Sequence, residues 1–435
     1  MQRHLAETSS KNLNFIKKTK TVRLPIVILS IGLWIAFSTK ISYFIFFGFE
    51  PLLFYALLVN AMLQMRLILT FKYHGENSIS GVKGSYPKIS FCIVGYNEED
   101  AIYQTIRYVS KIKYPKDRFE IIVVNDGSTD RTKKHIDHAV KRFRSIKIHP
   151  IHFKKNKGKR EGMYAAYKKS KSEFLFYVDS DTFLDRHALN EALVRFRDGK
   201  TAAIACMALV ANQDTNVITK MQAIRYYNAF SIVKASESAL DTILCCSGCS
   251  SIYRRSALAE IMDSWRNQTF MGKRCTFGDD RSLTNHLLRA GYDTGYSNSA
   301  IAYTNVPDSY RKYSRQQLRW KKSWTIESIE ALKFMHRRHV LSALSFYITV
   351  LSTLLAPIVV VYIFMRSAFV TWEALPLYLL GVALVSVAYG AYYALGTGNR
   401  HFLRGSIMFV LVNISLLWQI PWAAKTLNNR DWGTR

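Results

Sequence analysis

The sequence is short of acid and lacks the loops that mark several common enzyme classes. Its 435 residues hold 31 Asp and Glu against 60 Lys and Arg, a formal charge of +29, so a negatively charged partner is expected: nucleic acid, anionic lipid or a nucleoside diphosphate. Nucleic acid is set aside, because no zinc-finger spacing, RNP segment or basic helix accompanies the charge. There is no Gly-x-Gly-x-x-Gly stretch and no Gly-Lys-Ser loop, which removes the sequence grounds for a dehydrogenase or an ATPase. Cysteine is scarce, six in all, and every one falls in the region read below as cytosolic, so disulfides are not expected. Cys246 and Cys249 form a Cys-x-x-Cys with no second ligand pair at matching spacing, which argues for buried thiols over zinc.

What the chain does have is apolar length. Residues 24–47 are broken only by Lys40 and residues 51–71 only by Arg66; further runs follow at 341–365, 374–395 and 405–424. Each is near the ~20 residues that a helix needs to cross a bilayer. The first run has no small-residue cleavage site after it, which argues against a removed signal peptide. Lys11, Lys17, Lys18, Lys20 and Arg23 precede it and Glu50 alone stands in the turn that follows, so the N-terminus is expected inside and the chain returns to the cytosol near Lys72. Three crossings after residue 340 would leave the tail outside, whereas Lys425, Arg430 and Arg435 favour the inside. The last run, which holds Asn413, Gln419 and Pro421, is therefore predicted to be interfacial or re-entrant. Residues 220–240 and 312–334 mix aromatic and basic side chains at helical spacing and read as amphipathic helices lying in the membrane interface, with plain surface helices as the alternative.

Between residues 88 and 303 the pattern alternates short apolar strands, at 88–94, 119–125, 146–153 and 173–178, with charged helical stretches starting near Glu98, Asp130 and Lys159. Such alternation predicts an α/β domain whose parallel sheet binds its ligand at the carboxyl ends of the strands. Asp126, in Val124-Asn125-Asp126-Gly127-Ser128, stands at such an end; it would accept an N–H of a nucleobase, or cap a helix. Asp179 and Asp181 stand at another, as two hard oxygen donors suited to Mg2+ or Mn2+ shared with phosphate. In Gly278-Asp279-Asp280-Arg281 the adjacent carboxylates oppose each other's ionisation, which would lift one toward a useful base, Asp280; solvated surface acids are the alternative. Gln316, Arg319 and Trp320 place an amide, a fixed cation and a stacking surface within about one helical turn, although an interfacial Trp-Arg anchor would look the same. Lys159 and Arg160 would neutralise phosphates or simply open a charged helix.

Taken together these motifs resemble the processive, membrane-integrated family 2 glycosyltransferases, the group of cellulose, chitin and hyaluronan synthases. Asn267-Gln268-Thr269-Phe270, the stretch from Cys275 to Arg281, Leu283-Thr284-Asn285, Val306-Pro307 and the stretch from Gln316 to Trp320 resemble hyaluronan synthases most, and rhizobial chitin-oligosaccharide synthases next. The segment from Gly158 to Glu161 and the tail of Trp432, Gly433, Thr434 and Arg435 are similar to the same group. The likeness covers roughly residues 85–435. It implies a GT-A (Rossmann-like) domain embedded between transmembrane helices, UDP-sugar donors, Mg2+ or Mn2+, inversion to β linkages, and a polymer exit path through the membrane helices. Carried over, Asp126 and Lys159 would hold uridine and diphosphate, and Asp181 would ligate the metal with Asp179 beside it. Asp280 would be the base. Cys275, Gln316 and Trp320 would form the acceptor side, while Gln316, Arg319 and the tail with Trp432 and Arg435 close on the donor.

Two positions depart from that pattern: Ser247-Gly248-Cys249 where the group has Pro in third place, and Ile326 where it has Arg. The sugars therefore stay open between UDP-GlcNAc with UDP-GlcA and UDP-GlcNAc alone. The expected division is an N-tail with two membrane helices over 1–71, a cytosolic catalytic domain over 72–311, an interfacial helix over 312–340 and a membrane or interfacial region over 341–435, in the plasma membrane among lipids. A non-processive transferase acting on a lipid carrier and a transporter or scaffold with a nucleotide-binding domain are the rival readings.

Overall fold

The computed structural model describes residues 51–75 and 86–428, apart from 197, 371, 400–404, 407, 409–411 and 413–414, together with seven residues between 26 and 38. Most of the first apolar run, and the whole tail with Trp432 and Arg435, lie outside the described residues. The chain enters as a long apolar helix, α1 (Pro51–Gly75). It then alternates β1 (Ile89–Gly95), α2 (Ile102–Ser110), β2 (Phe119–Asn125), α3 (Thr132–Arg142), β3 (Lys147–His152), α4 (Lys159–Lys169) and β4 (Phe174–Asp179). Every residue of β1 is buried, as a strand covered by helices on both faces must be. α2 buries Ile102, Thr105, Ile106 and Val109, the one-sided spacing that packs a helix onto a sheet.

β1 runs parallel to β2 on one side and to β4 on the other, with Val94 level with both Val124 and Asp179. The carboxyl ends of three strands thus finish at one edge, where the sequence places Asp126 and Asp179. Beyond β4 the sheet departs from the all-parallel expectation. After β5 (Thr182–Leu184), α5 (Ala188–Leu193), β6 (Thr201–Val210), α6 (Val217–Asn228) and β7 (Ser250–Arg254), β7 is inserted antiparallel between β4 and β6. After α7 (Arg255–Arg266), a small hairpin of β8 (Thr269–Phe270) and β9 (Lys273–Arg274), and α8 (Asp279–Arg289) comes β10 (Asp293–Thr304); the sheet order is β3-β2-β1-β4-β7-β6-β10-β5. The reversal places a loop at the same edge. β7 pairs Ser250 with Val178, so the loop of Ser247, Gly248 and Cys249 that feeds it arrives beside Asp179, which a parallel strand would have sent to the opposite edge.

α9 (Tyr310–Leu332), α10 (Val340–Phe369), α11 (Ala374–Thr397) and α12 (Gln419–Lys425) complete the described chain. Three helical segments, Phe54–Tyr73, Val340–Phe369 and Ala374–Thr397, are long and apolar enough to cross a membrane, which marks a membrane protein. α6 and the π-helical turn that continues it, Ala229–Lys234, join the sheet domain to the long apolar helices: Thr70 Oγ1 of α1 donates to Ile232 O at 3.0 Å, and the Tyr227 ring meets those of Tyr392 and Tyr393 at 5.8 and 5.5 Å. The last apolar run ends docked on α9, where Gln419 Nε2 donates to Ser314 Oγ at 2.9 Å and Lys321 Nζ to Leu416 O at 2.6 Å.

α8 and α9 meet at Gly278, whose φ of +78° favours glycine and where an added Cβ would lie 1.9 Å from Ser323 Oγ. Gly278→Ala is expected to destabilise the protein by about 1–3 kcal/mol, read as a lower thermal midpoint in detergent. An unchanged midpoint would mean that the two helices do not pack there.

Candidate active site

The edge where β1, β2 and β4 end is built first by backbone. Asp126 follows β2, and its carboxylate takes the Lys157 N–H on Oδ1 at 2.7 Å and the Gly158 N–H on Oδ2 at 2.9 Å. Gly127 permits this closure: its φ is +69° and a Cβ there would lie 2.3 Å from the Lys155 carbonyl carbon. Asp126, expected to hold uridine, is thus tied to this loop as well. It is only 2% exposed and both oxygens hold the loop after β3. Burial raises its pKa, and the two N–H donors work the other way.

That loop delivers Lys159, the first residue of α4, whose Nζ donates to Asp179 Oδ1. Burial disfavours the Lys159 charge, but Asp179, Asp280 and Asp279 outweigh it and raise the pKa. Gly248 sits against this pair; a Cβ there would lie 3.1 Å from Lys159 Nζ and 3.5 Å from Asp179 Oδ1. Its N–H donates to Asp280 Oδ2 at 3.1 Å. Lys159, Asp179, Gly248 and Asp280 thus converge, with Tyr177, Ser247 and Tyr253, around a cleft of about 350 Å3 including its open mouth.

The two neighbouring acids of α8 part company, and Asp280 is not lifted as the sequence suggested. Asp279 turns inward to Arg160, Nε to Oδ1 at 2.9 Å, whereas Asp280 faces the cleft. Burial raises the Asp280 pKa, but the Lys159 charge and the N–H groups of Arg281 and Gly248 overcome it, so the net shift is downward. Arg160 is likewise not a phosphate ligand: it is buried, with NH1 also donating to Trp265 O at 3.0 Å and Gln268 Oε1 at 3.2 Å. Cys245, which sequence reasoning passed over, points its thiol at Asp280 Oδ2 at 3.6 Å, and burial followed by Asp280 pushes its pKa up to about 12. Cys246 and Cys249 are pushed up to about 12 as well, chiefly by burial.

Asp181 is pushed up to about 6 by burial and by Asp179, against the charges of Lys159 and Arg319. Arg319 therefore reaches the acids from α9; burial lowers its pKa, and Asp179 and Asp280 oppose that. Trp320 is 37% exposed, with the Tyr226 ring at 6.5 Å and the Arg225 guanidinium 5.8 Å from its centre. Gln316 is half-buried, and its Oε1 has no hydrogen-bond partner among the described residues. Its neighbour Gln317 takes Arg225 NH1 at 2.6 Å. Cys275, expected at the acceptor side, packs with Phe277, Ile326 and Leu427 in an apolar cluster. Arg225 and Glu327 were not singled out by the sequence, and Gln268 appeared there only within a motif, since each acquires its partners through folding.

Asp126→Asn would set an NH2 against one of the two loop N–H groups, a loss of about 1.5–3 kcal/mol for hydrogen bonds to a charged acceptor. Trypsin is then expected to cut after Lys155 and Lys157 at least several-fold faster than in the parent. Equal rates would show that Asp126 does not hold the loop.

Residues 90–287 match the family model described as Glycosyl transferase family 2. Over 396 residues the chain is 29% identical to the hyaluronan synthase of Streptococcus pyogenes serotype M1, an alignment covering 89% of this chain and 92% of that one. It is 28% identical over 390 residues to hyaluronan synthase 2 of Rattus norvegicus, covering 80% of this chain and 69% of that protein. Among solved structures, a mannosyltransferase from Pyrobaculum calidifontis, in complex with GDP-Man and Mn2+, shares the fold at a TM-score of 0.60 and 17% identity, covering 87% of this chain and 98% of that one. The chain thus carries a family 2 glycosyltransferase domain over residues 90–287, with a mixed GT-A sheet set among apolar helices, and is similar to hyaluronan synthases over most of its length.

Proposed function

We propose that the protein polymerises UDP-sugars into a β-linked polysaccharide on the cytosolic side of the plasma membrane and passes the product outward, as a hyaluronan-type synthase using UDP-GlcNAc and UDP-GlcA. The observation that carries this reading is the convergence of Lys159, Asp179, Gly248 and Asp280 on one cleft at the sheet edge, beneath a helix that presents Arg319 and Trp320. A cleft that sets the Asp280 carboxylate beside the Lys159 ammonium and its partner Asp179 suits displacement of a diphosphate by a hydroxyl.

Asp280 is the base. Its lowered pKa keeps it ionised at neutral pH, so it accepts the acceptor's O–H proton as that oxygen bonds the anomeric carbon and the bond to the UDP oxygen breaks. Attack opposite the leaving group inverts the configuration. Lys159 and Arg319 take up the charge that develops on the diphosphate, and Trp320 offers the acceptor sugar an apolar face. Asp126 serves the donor through the loop that carries Lys159. The likeness assigns Trp432 and Arg435, which lie outside the described residues, to the donor side, and Gln316 bridges donor and acceptor sides. Asp181 with Asp179 fits a hard divalent cation, Mg2+ or Mn2+: two carboxylates are present and no third His, Cys, Asp or Glu joins them among the described residues, which leaves phosphate oxygens to complete the shell. Such an ion would supply neutralisation of the leaving diphosphate. The division of labour follows the chain: 72–311 for catalysis, 312–340 for the link to the membrane, and 1–71 with 341–435 as the membrane part.

UDP release by the purified protein in nanodiscs, with UDP-GlcNAc, with UDP-GlcA and with both, tests the reading. Sustained turnover and a large polymer only with both donors are expected. Turnover with UDP-GlcNAc alone would make the product chitin-like, a short product would mean a non-processive lipid-carrier transferase, and silence would overturn the enzyme reading for these donors. Asp280→Asn is expected to lower UDP release by about 100-fold or more.

The raised pKa of Asp181 gives a pH signature. Below about 6 the carboxyl is protonated and a cation must displace that proton, so the affinity for Mn2+ is expected to fall by up to about tenfold per pH unit. A Mn2+ titration of donor binding at pH 5.5 and 7.5 measures it; equal affinities would remove Asp181 from the metal site.

A further inference from the structure

The catalytic helix α8 carries polar side chains on the side turned away from the cleft, and all of them are buried. Asp279, Ser282 and Asn285, three residues apart, are 4%, 0% and 3% exposed. A helix normally buries apolar residues at that spacing. Here the stripe meets Glu327, on α9 and 2% exposed. Glu327 Oε2 accepts from Asn285 Nδ2 at 2.8 Å, and Glu327 Oε1 accepts from Gln268 Nε2 at 2.9 Å. Gln268 passes the connection on: its Oε1 accepts from Ser282 Oγ and from Arg160 NH1, and Arg160 Nε holds Asp279. One buried carboxylate on α9 therefore reaches all three buried polar groups of α8, directly or through Gln268.

Resting on the reading of Asp280 as the base, we infer that Glu327 is a positioning residue, which fixes the rotation and depth of α8 and so sets Asp280 against the acceptor hydroxyl. Glu327 does not line the cleft, and its side-chain oxygens are engaged by Gln268 and Asn285. The chain of bonds has a fixed polarity. Gln268 presents N–H to Glu327 because its oxygen is taken by Ser282 and Arg160, and Asn285 also presents N–H. Only a group with two acceptors fits between them. Glu327→Gln keeps the shape but turns an NH2 toward one of these donors, at the usual cost of an unmade buried bond.

The polarity also supplies the test. In the double variant Gln268→Glu with Glu327→Gln every bond can be remade. The new carboxylate accepts from Ser282, Arg160 and the new amide, whose oxygen accepts from Asn285, and the net charge is unchanged. UDP release, donor KM, binding of UDP alone and thermal midpoint are measured for the parent, both single variants and the double variant. Glu327→Gln is expected to lose about tenfold or more in kcat with donor KM and UDP binding within about twofold of the parent, and the double variant is expected to regain most of the lost rate. A Glu327→Gln enzyme with parental kcat overturns the inference, as does a double variant that regains stability but not rate, which would mean that Glu327 acts by its own charge. If the single variant fails to fold, the double variant alone decides: folded and active supports the exchange, folded and slow overturns it. Absence of UDP release by the parent would instead count against the proposed function, so the two failures are distinguishable.

Discussion

The ion pair between Lys159 and Asp179 is the contact on which the edge of the sheet depends. A half-buried ammonium is tolerated there because the charges of Asp179, Asp280 and Asp279 favour it, and it acts on nearby acids in return: Asp280 is held ionised, and Asp181 is held lower than burial and Asp179 would set it. Remove the cation and the acids would repel one another in a partly dry cleft, where charges are poorly screened. The loop of Asn125, Asp126 and Gly127, the turn at Gly158 and the inserted strand β7 all serve to bring that ammonium, Asp179 and the Gly248 N–H to one place.

Acid is scarce in this chain, yet Asp126, Asp179, Asp181, Asp279 and Asp280 gather within one region. Against a background charge of +29, such a cluster is balanced locally by Lys159, Arg160 and Arg319, so a diphosphate would meet cations that already have partners. The excess of positive charge elsewhere would favour approach of a doubly charged donor and of anionic lipid. Binding and chemistry then draw on the same cations in different ways: at long range all of them attract, at short range only those aimed at the cleft act on the leaving group.

α9 connects the two halves of the molecule. Its outer end is tied to the last apolar run through Gln419 and Lys321, its middle presents Arg319 and Trp320, and its inner end holds α8 through Ser323 and Glu327. A displacement of the membrane segment would be felt at Asp280 through packed side chains and charge-assisted hydrogen bonds, because neither the Gly278 contact nor the Glu327 chain has slack. That is a physical route by which the apolar helices and α8 can influence each other.

Local pattern was enough for the first half of the sheet, the long apolar helices and the positions of Asp126, Asp179 and Asp280 at element ends, since strand alternation, apolar length and turn residues act over a few residues. Local pattern also named Lys159 and Trp320. It misjudged every feature that depends on what lies across the fold. The order of β7 between β4 and β6 is set by sheet pairing between residues far apart in sequence. The two adjacent acids, alike in the sequence, acquire opposite surroundings because Arg160 arrives on one side of α8 and Lys159 on the other. Cys275 and Phe277 join Ile326 and Leu427, from other stretches, in an apolar cluster, and Glu327 gains its meaning only when α9 meets α8. The sequence by itself determined which chemical groups stand where along the chain; the tertiary structure alone decided which of them face one another, because hydrogen-bond polarity and the sign of a neighbouring charge belong to pairs of residues brought together by packing.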